Sequence, residues 1–355
     1  MLEKPRPSRL RRLVDVLVLV YVALILLYIG NRLIIQDRIW LVSLFSSFSL
    51  IVFLPLPVLL VFSLLTLSRR SLILLLPILI WLLVWIGPRF VPKSGLMVDA
   101  NTPTLRVMTN NVSHFNAEPE RIPALIVSQS PDIIFLQEVE LSTESDVRAA
   151  LASAYPYQSV QLDDMREGMY TAANLTYSRV PFVSSEQIDP RIPQMPLIYR
   201  NVIEHDEQQI ALYNVHLLSP GSGYARFTDR INNYFIRYAL DYDDTARNRQ
   251  IDALLAFLAD EPLPYIVAGD FNTSDFSMTY NQLTAQMNDS FAESGEGLGG
   301  SWPAARVFGW PAFIPPIIRI DYIWHSTGLQ SVKAWQGAYT GSDHLSVFAD
   351  LTLQK

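Results

Sequence analysis

Residues 265–276 read "YIVAGDFNTSDF": four apolar residues, Tyr265, Ile266, Val267 and Ala268, followed by Gly-Asp-Phe-Asn. A carboxylate buried without a partner costs several kcal/mol. An apolar, strand-like run that delivers Asp270 and Asn272 at its tip therefore needs a reason. The same arrangement recurs along the chain. Asn111 ends "LRVMTNN", Glu138 ends "DIIFLQE" and His216 ends "ALYNVH". Asp321 lies in "IIRIDYI", and Asp343 with His344 opens "GSDHLSVF". Strand ends are where ligands bind in layered α/β folds, and acids at such tips can converge on a cation that relieves their repulsion.

Taken singly, each motif has a plainer reading. Asn111 could cap a turn, Glu138 and His216 could be rim residues, Asp321 could anchor Arg319, and "GDFN" could be an ordinary turn. Those readings leave the order of the motifs unexplained.

Outward from these tips, 105–112, 132–138, 209–217, 316–324 and 345–353 read as further strands, and 119–128, 143–154 and 245–260 as helices. Mixed strands and helices in this order predict an α/β layered sandwich. Tyr224–Tyr242 carries aromatics at helical spacing, which suits a helix packed on the core, or a lid or membrane-contacting helix beside the site.

The first hundred residues are a different physical object. They hold 11 Lys/Arg against 4 Asp/Glu, a net of +7, which leaves 16 basic and 30 acidic residues, a net of −14, for residues 101–355. Leu13–Ile29, Ile39–Leu67 and Leu72–Gly87 are apolar runs, the second broken by Pro55 and Pro57. A helix needs about 20 apolar residues to span the hydrocarbon core. The expected organisation is a membrane segment over 1–90 with spans near 13–35, 39–67 and 71–88, a linker over 91–103, and a catalytic domain over 104–355. Lys4, Arg6, Arg9, Arg11, Arg12, Arg69 and Arg70 flank one side of three such spans, and Arg32, Arg38, Arg89 and Lys93 the other. Positive charge favours the cytoplasmic side, so the catalytic domain is expected outside the cytoplasm. With no cysteine, disulfides, thiolate catalysis and cysteine-type zinc sites are excluded.

The ordered motifs "LRVMTNNV", "FLQEV", "NVHL", "GDFN", "RIDYIW" and "SDHL" resemble the endonuclease/exonuclease/phosphatase superfamily, which includes pancreatic-type deoxyribonucleases, apurinic endonucleases, neutral sphingomyelinases and inositol-polyphosphate 5-phosphatases. The resemblance covers about residues 104–353. It implies a four-layer α/β (α+β) sandwich of two mixed β-sheets flanked by helices, here behind an all-α transmembrane segment of about three helices. It also implies a Mg²⁺-dependent phosphoesterase, with Mn²⁺ as a substitute ion. Glu138 would be the principal metal ligand, with Asn111 and Asp343 nearby. Asp270 would orient or deprotonate the attacking water, and Asn272 would hold a phosphate oxygen. His344, oriented by Asp321, would face the phosphoryl group, and His216 would stabilise it or protonate the leaving oxygen.

Two family features are missing: the tyrosine-containing substrate loop of apurinic endonucleases between 155 and 200, and the lipid-head-group motif of inositol phosphatases. A domain at −14 repels a long polyanion. Arg226, Arg230 and Arg237, or Arg247 with Arg249, are the candidate basic patches, and Phe308, Trp310 and Phe313 a candidate lip for an acyl or aromatic group. The expected partners are a lipid bilayer and a lipid or small phosphoester. An extracytoplasmic nuclease is the alternative, and a catalytically silent membrane scaffold a second. Asn111, Asn174 and Asn272 head Asn-x-Ser/Thr triplets, read as chance because two fall at site positions.

Overall fold

The computed structural model describes residues 8–93, 102–113, 116, 118–166, 169–189, 191, 198–220, 234–304, 311 and 313–354. The chain divides into two compact units, residues 1–91 with Phe276–Met278, and residues 92–275 with 279–355.

The first unit is helical, with segments Arg9–Ile34, Trp40–Ser47, Ser49–Phe53, Pro55–Leu65 and Arg69–Ile86. Ser8 caps the first by accepting from Arg11 N, and Ser68 caps the last by accepting from Ser71 N. Beside an apolar cluster that includes Val18, Ile25, Leu56 and Leu75, this unit buries serines and exposes large apolar side chains. Ser43, Ser46, Ser49 and Ser63 are fully buried, while Leu26, Ile73 and Leu65 are 62%, 70% and 72% exposed. Small polar residues between helices and leucines outside suit a lipid solvent. Arg9–Ile34 and Arg69–Phe90 are long and apolar enough to cross a membrane, and a third span results if Trp40–Ser47 and Ser49–Leu65 count as one. Within the span expected near 39–67 the chain bends by 79°. Phe48 leaves helical geometry at the break (φ −107°, ψ 31°), and Pro55, which lacks an N–H, starts a fresh segment. Of the linker expected over 91–103, residues 94–101 lie outside the described residues.

Among the described residues the second unit holds twelve strands: β1 Leu105–Asn111, β2 Ile133–Glu140, β3 Tyr157–Arg166, β4 Met169–Ser178, β5 Phe182–Ile188, β6 Ile198–His205, β7 Gln208–His216, β8 Tyr265–Asp270, β9 Asn288–Asp289, β10 Asp321–His325, β11 Leu329–Gln336 and β12 Val347–Leu353. They form two six-stranded sheets, ordered β11-β12-β1-β2-β4-β3 and β5-β6-β7-β8-β10-β9. Both are mixed. β1 runs parallel to β2 through helix Arg121–Gln129, and β7 parallel to β8 through helix Thr245–Ala259, because a parallel pair needs a crossover. The strand expected over 316–324 is confined to 321–325.

Alternation along the strands positions the site. Leu105 and Val107 of β1, Ile133 and Phe135 of β2, Ile210 and Leu212 of β7, Ile266 and Ala268 of β8, and Ile323 of β10 pack in one apolar cluster between the sheets. Their neighbours Met108, Ile134 and Leu136 pack in a second cluster with Ile122, Leu125 and Ile126 of helix Arg121–Gln129, and Tyr213, Val267, Tyr322 and Trp324 in a third with Ile251 and Leu254 of helix Thr245–Ala259. Side chains alternate with period two. Continuing the inter-sheet parity places Asn111, Gln137, His216, Asp270 and Asp321 in the same layer, at one end of it. The core that stabilises the sandwich and the polar end are the same set of strand positions.

Candidate active site

β8 carries its acid to that end because of Gly269. A Cβ at this position would lie 1.7 Å from the carbonyl oxygen of Val215, its partner on β7, and its φ is +150°. Only glycine lets the two strands meet there. Two non-glycine site residues hold a left-handed backbone, Glu138 (φ 55°) and Asn272 (φ 49°). Such strain of about 1–3 kcal/mol per residue concentrates at functional sites.

Asn111 joins the two sheets. Its amide donates to Glu138 Oε1 and to Asp270 Oδ2, each at 3.0 Å, and its Oδ1 accepts from Ser113 N at 2.9 Å. His216 Nε2 lies 3.4 Å from Glu138 Oε1. Asn272 fixes Asp270 from the other side, with N to Oδ1 at 2.8 Å and Nδ2 to Oδ2 at 3.2 Å, and its Nδ2 also donates to Leu217 O at 2.8 Å. Arg247 donates to Asn272 O at 2.5 Å. That arginine is 1% exposed, which corrects its expected place in a basic surface patch. Arg226 and Arg230, like Phe308 and Trp310, lie outside the described residues, as does most of the Tyr224–Tyr242 helix; Tyr234–Leu240 is helical.

His344 forms a dyad with Asp321, Nδ1 to Oδ2 at 2.8 Å, and turns Nε2 toward Asp270 Oδ2 at 3.8 Å. Ser342 Oγ accepts from His344 N at 3.0 Å and donates to Asn111 O at 2.7 Å, so the last strand's lead-in is tied to the first strand. The Asp343 carboxylate accepts from the indole of Trp302 at 3.3 Å, and its charge reaches His344. The sequence motifs thus bring together Asn111, Glu138, His216, Asp270, Asn272, Asp321 and His344, and the charge of Asp343 acts on His344.

Burial, and then the charge of Asp321, pushes the Asp270 carboxyl up to about 6. Burial opposes a charge on His344, but Asp321, Asp270 and Asp343 outweigh it and hold the imidazolium well above the ordinary histidine range.

Ligand atoms of Glu138, His216 and Asp270 lie within 4.8 Å of one another, and so do those of Asp270, Asp321 and His344. In the second group the histidine already supplies the positive charge. In the first, the Asn111 amide donates to both carboxylates, Asp270 also accepts from Asn272, and the Glu138 side chain is 22% exposed, open to an ion and its waters. The solvent-open Glu138 carboxylate of that group fits a hard divalent cation, which takes oxygen ligands and keeps several waters.

Sequence reasoning missed the cluster behind the site. Arg319, 3% exposed, bonds both oxygens of Asp289 at 2.7 and 2.6 Å and reaches Asp275 Oδ2 at 3.3 Å. Tyr322 Oη donates to Thr273 O at 2.7 Å and to Arg319 O at 2.8 Å, which ties the segment after Asn272 to the start of β10.

Comparison with known proteins adds a family to this geometry. The model of the endonuclease/exonuclease/phosphatase family matches residues 108–344. The chain resembles an endonuclease/exonuclease/phosphatase from Bacteroides vulgatus (TM-score 0.55, 19% identity, covering 71% of this chain and 100% of that one). It also resembles one from Beutenbergia cavernae (0.51, 21%, 70% and 72%) and D. rerio TDP2 complexed with single strand DNA product (0.52, 17%, 70% and 99%). At such identities the likeness speaks for the fold. No curated protein matches by sequence.

Proposed function

Because the chain belongs to the endonuclease/exonuclease/phosphatase family, a family of metal-dependent phosphoesterases and nucleases, we propose that it is a membrane-anchored, Mg²⁺-dependent hydrolase of a lipid head group or small phosphoester. The observation that carries this is the convergence on Asp270: the Asn111 amide bonds both it and Glu138, and the His344–Asp321 dyad turns Nε2 toward it at 3.8 Å. Glu138, with Asn111 and Asp343 nearby, would hold the ion, which supplies Lewis-acid stabilisation of the non-bridging oxygens. Asp270 takes the proton of the attacking water, and Asn272 holds a phosphoryl oxygen. The imidazolium of His344 faces the developing charge, and His216 delivers a proton to the leaving oxygen.

The lipid or small-ester preference is supported by the net −14 of residues 101–355, by apolar helices with leucines outward, and by the local concentration that anchoring gives. Three spans with a cytoplasmic N-terminus put the hydrolase outside the cytoplasm. The nuclease reading is favoured by one fold relative's complex with single strand DNA product. Magnesium-dependent cleavage of bis(p-nitrophenyl) phosphate, abolished by chelator, is expected of the full-length protein; its absence would sink the enzyme and leave a scaffold. Phospholipid vesicles are expected to be hydrolysed faster than duplex DNA at every salt concentration, and the reverse order selects the nuclease.

The carboxyl of Asp270 also sets a pH limb. A base must be ionised, so kcat/KM should fall about tenfold per pH unit below the point where Asp270 takes up a proton, about 6 in the unliganded protein. A nearby cation favours the carboxylate, so raising Mg²⁺ should move the limb to lower pH. A limb that moves upward contradicts Asp270 as the base.

A further inference from the structure

We infer that Asn174 of β4, with Gln161 of β3, forms a neutral polar subsite beside the phosphoryl pocket, built to receive a hydroxyl-bearing alcohol portion of the phosphoester; this rests on the phosphoesterase reading above. The pairing of β2 with β4 runs Leu136↔Leu175 and then Val139↔Ala173, so Gln137 and Glu138 together oppose the single residue Asn174. That is a bulge, a device that re-aims a side chain next to a site. It accompanies the left-handed backbone of Glu138. Ala173, Leu175 and Tyr177 pack in the cluster with helix Arg121–Gln129, so alternation turns Asn174 to the inter-sheet layer that holds Asn111 and Gln137. Asn174 pairs in register with Gln161 on the next strand. Asn111, the Gln137–Glu138 bulge, Asn174 and Gln161 are thus one polar row across the sheet.

The row changes character partway along. Gln137 Nε2 donates to Asn214 Oδ1 at 2.7 Å, and Asn214 Nδ2 donates to Leu136 O and Leu175 O at 3.2 and 3.0 Å. Asn174 is 1% exposed and Gln161 3%. Yet Nδ2 and Oδ1 of Asn174 and Nε2 of Gln161 have no hydrogen-bond partner among the described residues. Buried amides are ordinarily satisfied, and an unpaired one carries the full desolvation penalty. An alanine at 174 would avoid it. The pair offers donors and an acceptor together. A phosphoryl oxygen accepts only and would leave Oδ1 unpaired; a cation would be repelled by the amide hydrogens. A hydroxyl both donates and accepts, and satisfies the group.

The test compares p-nitrophenyl phosphoglycerol with ethyl p-nitrophenyl phosphate, which lacks the hydroxyls, using the full-length protein with Mg²⁺. Asn174→Ala should lower kcat/KM for the glycerol ester roughly five- to tenfold, the size of one neutral hydrogen bond. The ethyl ester should stay within about twofold of wild type. The melting temperature should not fall. Gln161→Ala should move the ratio in the same direction, and it serves as the readout if N174A does not fold. Equal losses on both esters, or no change on either, overturn the subsite. A wild-type protein that cleaves neither ester strikes instead at the phosphoesterase reading and takes the subsite with it.

Discussion

Asp270→Asn is expected to lower kcat by roughly 10²- to 10⁴-fold, the usual contribution of a positioned base, while the protein melts at the same temperature or higher. The substitution keeps the shape and swaps one carboxylate oxygen for an amide. What it removes is a charge that burial and Asp321 both disfavour, and whose proton is therefore held up to about 6. Linkage gives the sign: the folded state binds that proton more tightly than the unfolded chain, so the group's contribution to stability is full below its ordinary pKa and is lost as pH rises toward 6. At neutral pH the native carboxylate carries this cost for its chemistry, and a neutral isostere relieves it while giving up a bond accepted from Asn111 or Asn272. Retention of more than a tenth of the wild-type rate would remove Asp270 from the base's role; a collapsed melting temperature would show that the charge has a structural purpose instead.

The largest stability effect is expected at Arg319→Met. The side chains of Asp275 and Asp289 are each 1% exposed, and Arg319 is the cation placed between them. Its removal leaves two buried carboxylates facing each other, and breaking a buried pair costs about 3–5 kcal/mol. For a domain of this size that is roughly a 6–20 °C fall in Tm. Arg319→Lys should recover part of it, because lysine keeps the charge but not the fork that grips both oxygens of Asp289. Differential scanning calorimetry decides the matter, and a shift below 2 °C for Arg319→Met would mean the carboxylates are neutral or otherwise satisfied.

The site was legible in sequence to the extent that its parts are local. Asn111, Glu138, His216 and Asp270 each follow a run of buried strand residues, and the run announces its tip. The same reasoning failed for β3 to β6 and β11. In β5, "FVSSEQI", four consecutive polar residues, Ser184 to Gln187, separate the apolar ends and the strand is mostly exposed, so it offers no apolar alternation to detect. Arg319 with Asp275 and Asp289 was invisible for another reason: its pairings span 44 and 30 residues, and nothing local marks them. Arg247 could have been found. It lies on the stripe of Ile251, Leu254 and Leu258 in helix Thr245–Ala259, and a charge inside an apolar stripe signals a buried partner, here the Asn272 carbonyl. Asn174 was set aside as one of three chance triplets, because only the β2–β4 register reveals what it opposes.

The pairing of β1 with β12, Leu105 opposite Leu351, has a bearing on how the molecule comes into being. An early strand must wait for one made some 246 residues later, so assembly cannot finish in the order of synthesis, and such non-local closure is slow. Meanwhile the apolar edge of Leu105–Asn111 stays open, a template on which another unfinished copy can add its own strand. Interrupted or C-terminally shortened chains should therefore clump in cells and depend on chaperones, whereas the completed chain seals that edge in the step that brings His344 beside Asp270.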